Sequence, residues 1–145
     1  GDAAQIAFVR SGDVGESDIY LLRVPDSDYT LPDPINLTRS DSADTAPVWS
    51  PDGRAVAYVS RQPGDADNVG HIRLLDVATG ESVRVSPDDG DSYNRARWSP
   101  DGRYLYFQIT RFTPHPARVF DTQTGALQNV RITGAGWVYE AVWRP

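Results

Sequence analysis

Trp49-Ser50-Pro51-Asp52-Gly53-Arg54 returns unchanged 49 positions later as Trp98-Ser99-Pro100-Asp101-Gly102-Arg103. Each copy is a hairpin turn. Pro51 presets φ for the first central position of a type I turn, and Asp52 tolerates the second. Gly53 then takes the left-handed conformation that opens the next strand with a bulge. Pro100, Asp101 and Gly102 repeat these roles. Each turn is followed by a β-rich apolar run, Ala55-Val56-Ala57-Tyr58-Val59 and Tyr104-Leu105-Tyr106-Phe107-Gln108-Ile109. Each is preceded by a short strand ending in Trp.

Weaker copies stand at both ends. Glu140-Ala141-Val142-Trp143-Arg144-Pro145 matches the run into Trp49, and Gln5-Ile6-Ala7-Phe8-Val9 matches Ala55 to Val59 at an offset of 50. Written end to start, Trp143-Arg144-Pro145 followed by Gly1-Asp2 is an imperfect further copy of the turn. The two ends are complementary halves of one repeat. Between these landmarks each repeat has four candidate strands: a (the Trp strand), b (after the turn), c and d. Strand c is typified by Ile19-Tyr20-Leu21-Leu22 and Ile72-Arg73-Leu74-Leu75. No stretch has helical periodicity. Four antiparallel strands in 45 to 50 residues make a β-propeller blade. The expectation is one all-β domain over residues 1–145, with repeats at about 1–45, 46–94 and 95–139, and residues 140–145 supplying strand a to the repeat begun at the N-terminus.

The phrases Ala46-Pro47-Val48-Trp49-Ser50-Pro51-Asp52-Gly53-Arg54 and Ala96-Arg97-Trp98-Ser99-Pro100-Asp101-Gly102-Arg103 resemble the TolB-like, or WD40-like, β-propeller repeat. The resemblance covers nearly the whole chain. It is specific for the fold and poorly specific for function, because the same repeat occurs in periplasmic scaffold proteins and in peptidase side domains. It implies a periplasmic or extracellular location and a ring of six blades. Three blades do not close around an axis, and an open arc exposes apolar blade faces and a strand edge. The expected remedy is a homodimer, strand a at Val142-Trp143 of one chain pairing with strand b at Ile6 to Val9 of the other. The competing explanation is a piece of a longer propeller.

Composition sets further bounds. Zero Cys excludes disulfides and thiol catalysis. The net charge of −6 argues against nucleic acid as a partner. No apolar run is long enough to span a membrane as a helix.

Chemistry is sparser. Ser50 and Ser99 lack a nucleophile-elbow context, and their hydroxyls are assigned to the turns. His71 and His115 are read as partly exposed rim histidines. Asp65-Ala66-Asp67-Asn68-Val69-Gly70 and Asp88-Asp89-Gly90-Asp91 faintly suggest calcium loops, but the distal Glu of an EF-hand is missing. No metal or cofactor is expected. Asn36-Leu37-Thr38 is formally a glycosylation sequon and is discounted because it falls in a strand. The variable positions lie where strands a begin and where the b–c loops cross the same face. The candidate ligand-binding set is therefore Tyr93, Arg95, Arg111, Phe112, Trp137, Tyr139 and Glu140, residue types common at binding hot spots. The expected function is a non-catalytic module binding a protein or peptide at this mouth. The alternatives are a purely structural ring unit and a propeller enzyme acting on glycans, seeded by Glu140 with Arg95.

Overall fold

A computed structural model describes residues 4–12, 15–25, 31–64, 69–110, 116–130 and 143–144. Every element among them is a strand, and no helix long and apolar enough to cross a membrane occurs among them. The first blade holds β1 (Gln5–Ser11), β2 (Ser17–Arg23) and the short β3 (Ile35–Asn36). The second holds β4 (Ala43–Trp49), β5 (Ala55–Arg61), β6 (His71–Asp76) and β7 (Ser82–Arg84). The third holds β8 (Tyr93–Trp98), β9 (Tyr104–Ile109), β10 (Ala117–Asp121) and β11 (Leu127–Val130). Within a blade each strand pairs antiparallel with the next, and a single parallel bridge, Ser17 to Ala43, links the first two blades. This is the β-propeller architecture expected from the repeat.

The turns form as their sequence demands. Gly53 and Gly102 sit at φ of 70° and 71°, where a Cβ would be strained. Ser50 Oγ donates to Asp52 Oδ1 at 2.6 Å and accepts from Ala55 N at 2.9 Å. Ser99 repeats both bonds, to Asp101 Oδ1 at 2.6 Å and from Tyr104 N at 2.8 Å. The two serines are therefore structural. Their bonds hold the Asp52 and Asp101 carboxyls below the ordinary range, the serine hydroxyl contributing most.

Apolar faces of neighbouring blades form the core. Between the second and third blades lie Ala57, Val59, Ile72, Tyr93, Leu105, Phe107 and Ile109. A smaller cluster of Ile19, Tyr58 and Leu75 joins the first and second. Burying an aliphatic or Phe side chain stabilises by about 1.5–3 kcal/mol, so stacked faces carry most of the stability. Trp98 fastens this stack, its Nε1 donating to Val48 O of the preceding blade at 3.2 Å. Trp143 repeats the bond to Arg97 O at 3.2 Å and stacks on Tyr104.

Candidate functional site

The candidate site lies where strands a begin, at the end of the blades opposite the Pro-Asp-Gly turns. Two bulges shape it. The pairing of β4 with β5 shifts register between Thr45 and Val48, and that of β8 with β9 between Asn94 and Arg97. Ala46 and Arg95 occupy the bulges at φ of 52° and 53°. A non-glycine residue there is strained by about 1–3 kcal/mol, and a bulge re-aims the side chain it carries. Arg95 is turned out to the exposed surface while Tyr93 and Ala96 remain buried. Neither Ala nor Arg announces positive φ, so only the repetition at equivalent positions could have pointed to the bulge.

Tyr93 corrects the sequence expectation of a rim residue. Its side chain is wholly buried, edge-on to Phe107 at 5.5 Å between centroids. The ring fills the seam between blades because Tyr93 stands opposite Ile109 on the apolar face. Its hydroxyl donates to both oxygens of Asp89, at 2.8 and 2.7 Å, and Arg118 reaches Asp89 Oδ2 at 3.1 Å. Burial, then the Asp89 carboxylate, raises the Tyr93 pKa. Burial works against the charged form of Asp89, but the Tyr93 hydroxyl, the Asp91 amide and Arg118 outweigh it and hold its pKa low. The network ties the loop before β8 to β8 and β10. Asp89 was legible in the sequence only as a member of an acidic loop, and Arg118 not at all.

A second polar group lies between the first two blades. Asp44, Ser60 and His71 are successive neighbours across β4, β5 and β6, so their side chains share one face. All three are buried, Asp44 at 1% and His71 at 8% exposure, which corrects the reading of His71 as a partly exposed rim residue. Its place at the first position of β6 sets it inside the blade stack. Ser40 Oγ donates to Asp44 Oδ2 at 2.8 Å, whereas Asp44 Oδ1, His71 Nδ1 and Asn94 Oδ1 have no partner among the described residues. An unsatisfied buried polar group costs about 1–3 kcal/mol.

The other sequence candidates divide plainly. Arg111, Phe112, His115, Trp137, Tyr139 and Glu140 lie outside the described residues. So do residues 65–68 of the first acidic loop. Gly70 there is a close-packing glycine, since a Cβ would stand 2.7 Å from Tyr93 O. In the second acidic loop Asp88 pairs with Arg84 at 3.2 Å and Asp89 with Arg118. Among the described residues no three His, Cys, Asp or Glu side chains converge as a metal site. Asn36 uses its amide within the blade, donating to Asp18 at 2.7 Å and to the Tyr20 hydroxyl at 3.2 Å.

With this geometry in place, the class is a β-propeller, with four strands described in each of its second and third blades. Comparison with known proteins makes it more specific. No protein-family profile matches the sequence. The chain is 39% identical over 75 residues to the Tol-Pal system protein TolB of Alcanivorax borkumensis, which covers 52% of this chain and 16% of that protein. It is 27% identical over 109 residues to the uncharacterised peptidase YuxL of Bacillus subtilis, covering 75% of this chain and 16% of the other. It is 32% identical over 65 residues to dipeptidyl-peptidase 5 of Porphyromonas gingivalis, covering 44% and 10%. Among solved structures, a TolB from Agrobacterium tumefaciens superposes with a TM-score of 0.69 at 25% identity, over 92% of this chain and 45% of that one. An oligogalacturonate lyase with manganese (TM-score 0.58, 19% identity, 79% and 31% coverage) and a prolyl endopeptidase (0.63, 18%, 92% and 22%) share the fold. The repeats are TolB-like β-propeller repeats. The chain spans a sixth or less of the length of these curated relatives.

These relatives overturn the expectation that the chain is no enzyme, because two of them are peptidases. The physical reason is that the shared motif is turn and strand chemistry. It specifies a scaffold, and a scaffold is indifferent to whether catalysis is attached to it.

Proposed function

We propose that this propeller recognises a protein or peptide partner at the mouth where its a strands begin. The observation that carries the reading is the pair of left-handed bulges, which turn exposed Arg95 outward from a strand otherwise fixed by Tyr93 and Ala96. Strain held at a surface site, in a strand anchored by the Tyr93–Asp89–Arg118 network, preorganises a binding group. Arg111, Phe112, Trp137, Tyr139 and Glu140 complete the proposed surface. A periplasmic location is part of this reading, since TolB proteins are among the relatives. So is closure of the arc into a six-bladed ring by a second copy.

The test is a peptide array probed with the unmodified chain and with Arg95→Ala. Binding that falls at least tenfold in the variant, with an unchanged melting temperature, supports the mouth as the recognition surface. Binding that Arg95→Ala leaves untouched removes the mouth from the function.

A further inference from the structure

Two arginines hold the same place in successive blades and meet opposite surroundings. Arg118 of β10 stands between Phe107 of β9 and Asn129 of β11, and Asp89 Oδ2 answers its charge at 3.1 Å. Arg73 of β6 stands between Tyr58 of β5 and Arg84 of β7. Where the third blade has Asp89 four residues before Tyr93, the second has Ser40 four residues before Asp44. Among the described residues Arg73 therefore has no carboxylate within ion-pair distance, and it has a second arginine directly across the ladder. Like charges placed so repel each other.

The groups around Arg73 have protons left to give. Its Nε donates to Ser82 Oγ at 3.0 Å and its Nη2 to Ser82 O at 2.9 Å, while Nη1 has no acceptor among the described residues. Ser82 Oγ and the Tyr58 hydroxyl share one hydrogen bond at 2.8 Å. Two hydroxyl protons enter a pair that uses one of them, so the other also lacks an acceptor. The buried ring of Tyr58 and the double hold of Arg73 on Ser82 fix this group in place. Arg84, on the same face, pairs with Asp88 at 3.2 Å, whose side chain is 74% exposed. Asp44, whose charge also acts on the Tyr58 hydroxyl, belongs to β4, three strands from β7. We infer that Arg73, Arg84 and the Tyr58–Ser82 pair bind a phosphate or sulfate group, on the outer strands of the second blade rather than at the mouth. Such a group accepts from both guanidiniums and from the spare hydroxyl proton, and its charge offsets theirs. The chemistry is the same for a free anion and for an ester group on a larger ligand.

The test is calorimetric titration of the unmodified chain with inorganic phosphate, inorganic sulfate and phenyl phosphate, at fixed ionic strength in chloride. Saturable binding is expected. Phenyl phosphate binding more tightly than inorganic phosphate supports an ester group as the ligand, and the reverse order supports a free anion. Arg73→Gln should weaken binding at least about tenfold. Arg84→Gln alters only an exposed pair, so its several-fold loss is not one of folding. Asp88→Asn removes the carboxylate that competes for Arg84 and should tighten binding, a response that a purely structural role would not give. Absence of saturable binding by all the probes overturns the site. So does binding that both arginine variants leave unchanged, or that Asp88→Asn weakens.

Discussion

Strands β1 and β5 hold the same place in successive blades, yet their burial is opposite. Ile6 and Val9 are 48% and 38% exposed, whereas their counterparts Val56 and Val59 are 0% and 1% exposed. The residue types are nearly the same, and so is the pairing with strand c. The difference is what lies alongside. β5 has β4 at its edge and blades on both faces, while β1 pairs with β2 alone among the described residues and packs on β4 of the second blade. Burial in this fold is therefore a property of the neighbouring blade as much as of the strand.

The largest effects should come from trimming the covered strands. Leu105, the counterpart of Ile6 in β9, is fully buried, so Leu105→Ala should destabilise by about 2–5 kcal/mol. In the monomeric chain Ile6→Ala should cost under about 0.5 kcal/mol. Equal costs by urea unfolding would break the comparison. Next comes the network that anchors β8. Tyr93→Phe removes a donor from the Asp89 carboxylate and should cost about 1.5–3 kcal/mol. A cost below a few tenths would show that Arg118 alone satisfies Asp89.

The turns sharpen the same contrast. Gly53→Val and Gly102→Val should each cost about 1–3 kcal/mol, since a branched residue is forced to positive φ. The two costs should be alike, because a Cβ at Gly102 would meet the Pro51 ring only at an ordinary contact distance of 3.5 Å. The smallest effect is that of acid. The pKa values of Asp52 and Asp101 are lowered from 3.8 on folding. Their contribution is thus full above that value and is lost as pH falls through the depressed folded pKa. Asp52→Asn with Asp101→Asn should flatten the stability profile below about pH 4, as followed by circular dichroism.

The blades were legible because Pro-Asp-Gly turns and strand alternation are local chemistry, visible at Pro51 and Gly53 without any tertiary contact. The mouth was less so. Tyr93 looked like a surface anchor, but a bulge two residues on changes which side chains face the seam, and a bulge at Ala46 or Arg95 has no compositional mark. The row of Asp44, Ser60 and His71 joins three strands separated by loops, so no spacing along the chain announces it.

The Trp-to-carbonyl bond also gives the arc a direction in time. Each indole reaches back to the blade already made, from Trp98 to Val48 and from Trp143 to Arg97, a span of 50 and 46 residues. A chain emerging from the ribosome therefore holds each new blade unfastened until roughly one further repeat has been synthesised. Synthesis stalled just before Trp98 would leave the second blade paired within itself but unclasped, and hence more open to protease than the same blade in the finished chain.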